Sequence, residues 1–454
     1  MIAPARLASY EILMAVSSGR ADLPAAVADA RESLRDDRDR ALAADIATGV
    51  QRWRGALDHV IEHFARRTLS RLDDEVVEIL RLSSYQILHL SRVPVSAVVD
   101  DAVNLTKKVG KASARGLVNA VLRTISRQRN DLPLPPRPAD PADRDAAVHY
   151  LSVSLSHPRW LAARWYDRLG LERAAAWAAF NNDRAPLTLR ANRALTTPGE
   201  VRNILEASGV HTEPGRWAPD ALIVRHGQPL RDPGTRAGLF VVQDEASQLV
   251  ALLAGEQPGP LVLDACASPG GKATAIAAAL RVGSTLVACD VRARRVSLLR
   301  QTVESAHVAN VRLVQADLLA NLPFGQVFSC VLVDAPCSGL GTLRRDPDIR
   351  WRRREEDLPV LARAQTRMLQ NAAAVVARGG RLVYATCSSE PEENDEVVDA
   401  FLAAHPDFTP VDAGTVHSAL PLETVDARGR FRTSPDAHHL EVFFGAVLER
   451  TRHL

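Results

Sequence analysis

The stretch Leu261-Val-Leu-Asp-Ala-Cys-Ala-Ser-Pro-Gly-Gly-Lys272 restricts the fold of this chain more than any other. Leu261, Val262 and Leu263 read as a short buried strand ended by Asp264, and Ser268 to Gly271 make a turn of small residues. A helical run from Ala273 to Leu280 follows at once. Strand, glycine turn and helix form the first half of a Rossmann-like unit, whose bare backbone N–H groups face a ligand at the strand's carboxyl end. Taken alone, a Gly-Gly pair favours an ordinary strand-to-helix turn.

The surrounding pattern favours the ligand-binding unit. Strands fit at Leu261–Asp264, Thr285–Asp290, Val311–Gln315, Cys330–Asp334 and Arg381–Thr386, with helices at Ala273–Leu280, Arg294–Ala306 and Leu358–Ala377. Such alternation predicts a doubly wound, mostly parallel α/β sheet, closed by a strand near Glu441–Leu448. Before it, residues 156–238 combine a Trp-rich helix, Pro158 to Phe180, with strands at Pro186–Asn192 and Ala221–Arg225 and a helix at Thr197–Ser208. That set resembles part of a ferredoxin-like or RNA-recognition module. Residues 131–155 hold the Pro-rich linker Asp131-Leu-Pro-Leu-Pro-Pro-Arg-Pro138, and residues 1–130 carry apolar residues at helical spacing throughout, hence a helical bundle. The catalytic part is expected over 239–454.

Charge and cysteines narrow the classes. A net charge of +2 is uninformative as a sum, but nine Arg or Lys against Asp100 and Asp101 lie between Ile79 and Asn130, a surplus suited to phosphates or to a solvated helical face. All five cysteines fall between Cys266 and Cys387, an odd number without Cys-x-x-Cys spacing, which argues against both a disulfide framework and zinc. No apolar run reaches membrane-spanning length and the N-terminus lacks a signal core, so a cytoplasmic chain without a membrane partner is expected.

Four acids stand at equivalent places: Asp264, Asp290 and Asp334 end strands, and Asp317 follows one. Strand ends of an open α/β sheet converge on its ligand crevice, and Asp290 lies where such folds place the acid that binds ribose hydroxyls. Two short motifs add thiols to that edge, Asp334-Ala-Pro-Cys337-Ser-Gly and Thr386-Cys387-Ser388. Cys289 and Cys330, inside apolar strands, read as packing.

With these motifs the chain resembles the Sun family of ribosomal RNA cytosine-C5 methyltransferases, above all its bacterial branch acting on 16S ribosomal RNA and carrying a NusB-like N-terminal domain. The resemblance also rests on Thr48-Gly-Val-Gln-Arg-Trp-Arg54, Tyr85-Gln-Ile-Leu88, Leu117-Val-Asn-Ala-Val-Leu-Arg123, Arg345-Asp-Pro-Asp-Ile-Arg-Trp351 and Tyr384-Ala-Thr-Cys-Ser388. It implies a multidomain chain, all-α NusB-like, then α+β, then an α/β Rossmann-like methyltransferase. It implies S-adenosyl-L-methionine, cradled by Cys266, Ala267, Ser268, Pro269, Gly270, Gly271 and Lys272, with Asp290 on the ribose, Asp317 near the adenine and Asp334 beside cofactor and base. Cys387 would be the nucleophile and Cys337 would assist product release. The expected partner is 16S ribosomal RNA, bound by a monomer.

The chemistry asks for such residues independently. Carbon 5 of cytosine attacks a methyl sulfonium poorly. Thiolate addition at carbon 6, with a proton delivered to N3 by Asp334, makes it an enamine carbon. A free thiol has a pKa of about 8.5, so the site is expected to lower that of Cys387. Arg344, Arg345, Arg350 and Trp351 suit phosphate binding and base stacking, whereas Arg352 to Arg354 read as a solvated helix start. The family pattern departs at His438-His-Leu-Glu-Val442, where Glu and Val stand in place of Asp and Gly. A noncatalytic RNA-binding antitermination or assembly factor would show erosion of a thiol or of the glycine loop, and neither is eroded. A nicotinamide dehydrogenase would need Gly-x-Gly-x-x-Gly, which is absent. Exchange of the two thiol roles stays open.

Overall fold

The computed structural model describes residues 2–231 and 237–452. Its internal packing separates two compact units, Met1–Arg184 with Leu343–Glu355, and Ala185–Thr342 with Glu356–Leu454.

The first unit is helical: α1 (Pro4–Ser17), α2 (Leu23–Ser33), α3 (Asp37–Ala65), α4 (Asp74–His89), α5 (Val95–Lys108), α6 (Arg115–Arg127), α7 (Arg144–Val153) and α8 (Arg159–Asn182). The centre is α4, buried at Val76, Val77, Ile79, Leu80, Leu82 and Tyr85 rather than along one stripe, as a helix enclosed by α1, α3, α5 and α6 must be. Its one buried cation is paired: Arg81 donates to Asp58 Oδ1 at 2.6 Å and to Glu78 Oε1 at 2.6 Å. Arg6 of α1 reaches Gln86 at 2.8 Å and Asp101 at 2.6 Å. Within the basic run, Arg81 is thus spent inside and Lys111 lies 3.2 Å from Asp73. Arg92, Lys107, Lys108, Arg115, Arg123, Arg127 and Arg129 stay exposed. Helix α7 occupies part of the expected linker, and α8 packs with the helical unit rather than with the α+β module. Gly170, at φ 72, interrupts α8 between Trp165 and Trp177, whose rings meet edge to face at 5.8 Å.

Leu343–Glu355 belongs to this helical unit although the chain reaches it from the other. This corrects the RNA-contact assignment of Arg350. That side chain is 0% exposed. Its Nη1 donates to Ser156 O and Asn182 Oδ1 at 2.9 Å each and to Arg52 O at 3.3 Å, and its Nη2 donates to Asn181 O at 3.2 Å. A guanidinium so enclosed satisfies carbonyls and reaches no phosphate. Trp351 is half-buried, its indole N–H donating to Gln51 O at 2.6 Å and its ring facing the Arg54 guanidinium at 5.6 Å. Arg344 lies 4.3 Å over the Phe180 ring and donates to Arg184 O at 3.0 Å, and Arg345 is half-buried. The exposed cations are Arg352 and Arg354, which the sequence pattern had assigned to mere solvation.

The second unit opens with an antiparallel sheet, order β2-β3-β1-β4: β1 (Thr188–Ala191), β2 (His211–Pro214), β3 (Ala221–His226) and β4 (Phe240–Val242). Helix α9 (Pro198–Ala207) starts at a capping box, Thr197 N donating to Glu200 Oε2 at 2.8 Å and Thr197 Oγ1 accepting from Glu200 N at 3.3 Å. Its Val201 and Leu205 cover Leu189, Leu222 and Phe240.

The larger sheet has order β10-β12-β9-β8-β5-β6-β7, with β11 beside β12. Its elements are α10 (Glu245–Leu252), β5 (Leu261–Asp264), α11 (Gly271–Ala279), β6 (Thr285–Asp290), α12 (Ala293–Ser305), β7 (Val311–Gln315), β8 (Phe328–Asp334), α13 (Asp357–Ala373), β9 (Val376–Thr386), α14 (Asp395–Ala404), β10 (Phe408–Val411), β11 (Phe431–Arg432) and β12 (Phe444–Arg450). Pairs β5–β6, β6–β7, β5–β8 and β8–β9 are parallel, and β12 runs antiparallel to β9. Successive strands run outward from β5 in one direction and from β8 in the other, so the switch point lies between them, where such sheets open a ligand crevice. Strand β9 begins at Val376 rather than Arg381, bulging around the left-handed Gly379 so that the register with β8 passes from Phe328–Val376 to Cys330–Arg381. No helix among the described residues is long and apolar enough to cross a membrane.

If Arg350 is structural, Arg350→Met strands several buried carbonyls and should cost about 3 kcal/mol or more. Thermal unfolding of the full chain is expected to shift down for Arg350→Met and to stay unchanged for the exposed Arg129→Ala. Equal melting of both variants would refute the structural assignment.

Candidate active site

Strand register assembles the site. In the β5–β8 pair Asp264 is opposite Leu332, and in the β8–β9 pair Asp334 is opposite Ala385. The loops after β5, β8 and β9 therefore leave the sheet side by side. A cavity of about 260 Å³ opens there, lined among others by Lys272, Asp290, Asp317, Asp334, Cys337 and Cys387. Cys266 and Ser268 also line it, whereas Ala267, Pro269, Gly270 and Gly271 shape the turn behind. Gly270 has φ 115 and a Cβ there would stand 2.9 Å from Leu299 Cδ1, so both backbone and space require glycine.

Lys272 Nζ donates to Asp334 Oδ2 at 2.7 Å and lies 5.5 Å from the Phe443 ring centre. Burial works against its ammonium, but Asp334 outweighs it and holds the Lys272 pKa above the usual lysine range. Asp264, 1% exposed, is the opposite case. Burial, and next the charge of Asp334, push its carboxyl up to about 7. Neither oxygen meets hydrogen-bond geometry with a described neighbour, although the Cys266 amide is close. Arg295, which the sequence reading missed, approaches Asp290 Oδ2 at 3.4 Å and donates to Ser268 O at 3.2 Å, fastening the end of β6 to the glycine loop. Its place in the first turn of the helix after an acid-ended strand was the available signal. Asp317 is exposed, with Oδ1 accepting from Leu319 N at 2.9 Å.

The two thiols meet: Cys337 Sγ is 3.2 Å from Cys387 Sγ. The hydrogen bond to Cys387, followed by burial, raises the Cys337 pKa well above the usual thiol value. Cys289 and Cys330 are packed in the core, each pushed up to about 12 chiefly by burial. The loops carrying the two thiols are laced together, since Gly341 N donates to Cys387 O at 2.9 Å and Val442 N to Gly341 O at 2.9 Å. A Cβ on Gly341 would lie 2.1 Å from Val442 O and 2.7 Å from Cys387 O, so only glycine admits this approach. Val442 itself adopts no positive φ, and the valine found there is accommodated without strain. The neighbouring left-handed residue is His439, at φ 56.

Comparison with known proteins agrees with this architecture. Residues 250–449 match the family described as 16S rRNA methyltransferase RsmB/F, residues 3–127 the NusB family, and residues 157–231 the ferredoxin-like domain of RsmF/B-like methyltransferases. The chain is 34% identical over 413 residues to ribosomal RNA small subunit methyltransferase B of Pseudomonas putida, spanning 90% of this chain and 91% of that one. It is 33% identical to the protein of the same name from Citrobacter koseri, spanning 84% and 86%. The crystal structure of PH0851 matches it with a TM-score of 0.80 at 25% identity over 99% of both chains. That of a methyltransferase homolog protein from Pyrococcus horikoshii gives 0.56 at 25% identity over 67% of this chain and 99% of that one.

Thiol reactivity follows from exposure and from the fraction ionised. Cys289 and Cys330 are buried, and Cys266 and Cys337 hold their protons tightly. Iodoacetamide at neutral pH is therefore expected to modify Cys387 first in the folded protein, as read by peptide mass mapping. Prior modification of Cys289 or Cys330 would contradict this ordering.

Proposed function

We propose, from the premise that this chain belongs to the RsmB/F family of 16S rRNA methyltransferases, that it methylates carbon 5 of a cytosine in 16S ribosomal RNA through a transient cysteine–cytosine adduct, with S-adenosyl-L-methionine as donor. The observation that carries this reading is the pair of thiols 3.2 Å apart at the mouth of a cavity that also holds Asp334 and Lys272. A merely RNA-binding protein has no use for two thiols and an acid at one sheet edge.

The residues present fit the donor. Asp264 is a buried carboxyl lacking a cation partner, suited to the ammonium of a methionine moiety, and Asp290 stands at the end of β6, suited to ribose hydroxyls. When bound, the donor supplies a methyl group on a sulfonium. The protein does the rest. Cys387 Sγ gives up its proton to water and adds to carbon 6 of a cytosine turned out of its stack, and N3 takes a proton relayed from the Lys272 ammonium through the Asp334 carboxylate bonded to it. Carbon 5, now part of an enamine, accepts the methyl group. Water takes the carbon-5 proton, N3 returns its proton through Asp334 to Lys272, and the carbon–sulfur bond breaks as the carbon 5–carbon 6 double bond reforms, Cys387 leaving as thiolate with Cys337 assisting. The seven exposed cations between Arg92 and Arg129 suit RNA phosphates.

Replacing each thiol separately tests the reaction. Cys387→Ala should abolish methylation and form no covalent RNA complex, whereas Cys337→Ala should trap RNA covalently, visible as a denaturation-resistant band. The reverse pattern would exchange the two roles, and no adduct with either would refute the covalent route. Asp264 adds a pH dependence. Only its ionised form attracts an ammonium, and its value is about 7, so donor affinity by calorimetry should be about tenfold weaker at pH 6 than at pH 8. Asp264→Asn should flatten that dependence.

A further inference from the structure

Glu393 takes no part in the mechanism above, yet it is fully buried, at 0% exposure, beneath the two thiols. It sits in a single short turn, Pro391–Glu393, between β9 and α14. Its carboxyl accepts from both cysteine loops. Ser338 N donates to Oε1 at 2.8 Å and Ser338 Oγ to Oε2 at 2.5 Å, while Ser388 Oγ donates to the same Oε2 at 2.5 Å. Ser338 directly follows Cys337, and Ser388 directly follows Cys387. The fourth donor is Gln365 Nε2 of α13, 2.9 Å from Glu393 Oε1 and 3.0 Å from Pro336 O. The Cys337 backbone is thus held on both flanks, at the Pro336 carbonyl and at the Ser338 amide. Tyr384 O–H fixes the clamp from below by donating to Glu393 O at 2.6 Å.

We infer that Glu393 is the positioning residue that sets the distance between the two thiols, by binding the residue after each of them with one carboxyl. A carboxylate is suited to this because it only accepts and offers about four lone-pair sites, the number of donors gathered here. The two loops do not depend on it equally. The Cys387 loop has anchors that do not involve the Cys337 loop: Asn394 Nδ2 donates to Ser388 O at 3.0 Å and Ser388 N donates to Thr386 Oγ1 at 3.3 Å. On the Cys337 side Glu393 holds both the amide and the hydroxyl of Ser338. Loss of the carboxylate therefore moves Cys337 away from Cys387 more than it moves Cys387 from the cavity.

The part that concerns product release rests on the proposed covalent reaction, whereas the thiol distance does not, so two readouts separate them. Dibromobimane becomes strongly fluorescent when each of two neighbouring thiols displaces one bromide. It should bridge Cys337 and Cys387 in the full-length protein, with Cys337→Ala as the negative control. In Glu393→Gln, one acceptor oxygen becomes a donor, and bridging is expected to slow at least tenfold while single modification of Cys387 by monobromobimane continues. Incubated with RNA and donor, the same variant should accumulate covalent complex as Cys337→Ala does, with a fall in kcat and little change in KM. Unchanged bridging in a folded Glu393→Gln protein overturns the inference. Slowed bridging without adduct upholds the clamp and counts against the covalent reading. Should Glu393→Gln fail to fold, Ser338→Ala removes one arm only and is judged by the same bridging rate, slowed for a clamp and unchanged against it.

Discussion

Parallel pairing of β8 with β9 is the constraint on which the site depends. Asp334 and Ala385 share a rung, so the loops leaving these strands start side by side, and the thiols three and two residues later meet at 3.2 Å. A slip of one residue in that pairing would turn Asp334 toward the other face of the sheet and separate the thiols. The rung is secured by strands apolar on both faces, Cys330 to Val333 in β8 and Leu382 to Ala385 in β9, all fully buried. Packing therefore brings the two thiol-bearing loops to one edge of the sheet, and polar contacts hold them there.

Electrostatics divides the acids by neighbour. Asp334 is bonded to Lys272 and Asp290 lies beside Arg295, whereas Asp264 has no ion pair, and burial with the repulsion of Asp334 outweighs the attraction of Lys272 and the Cys266 amide. A carboxyl left in that condition is poor for stability and good for receiving a cation, which is how a binding site differs from a core. The glycine turn beside it does the complementary work, leaving backbone N–H groups bare where a side chain would have covered them.

Much of this was legible in the chain itself. Strands β5, β6 and β7 fall on the residues that their apolar runs indicate, because period and turn chemistry are local properties. Asp290, Asp317, Asp334 and both thiols line one cavity, as expected from strand ends that are recognisable and converge in this fold, with Asp264 at the buried end of β5 rather than in the lining. Arg350 was misread for a physical reason. Arginine beside tryptophan looks the same in sequence whether it faces a phosphate or a cage of carbonyls, and only the burial of Ser156, Asn182 and Arg52 around it separates the two. Glu393 was hidden in an acidic run, Glu390 to Glu396, where it and Glu390 are fully buried among acids that are not. Arg295 was lost among the arginines that open α12.

The detour of Leu343–Glu355 has a consequence for how the protein is made. The helical unit needs residues from two distant parts of the chain, and the second part follows β8 of the other unit. During synthesis its first 184 residues emerge long before Arg350, and until then the carbonyls of Arg52, Ser156 and Asn181 have no guanidinium to accept from. The apolar core of α1 to α6 includes no residue of the later segment, so those helices can pack first while these carbonyls bond to water, until the polypeptide has passed Glu355. A helical domain cut at residue 184 would keep those carbonyls without the guanidinium.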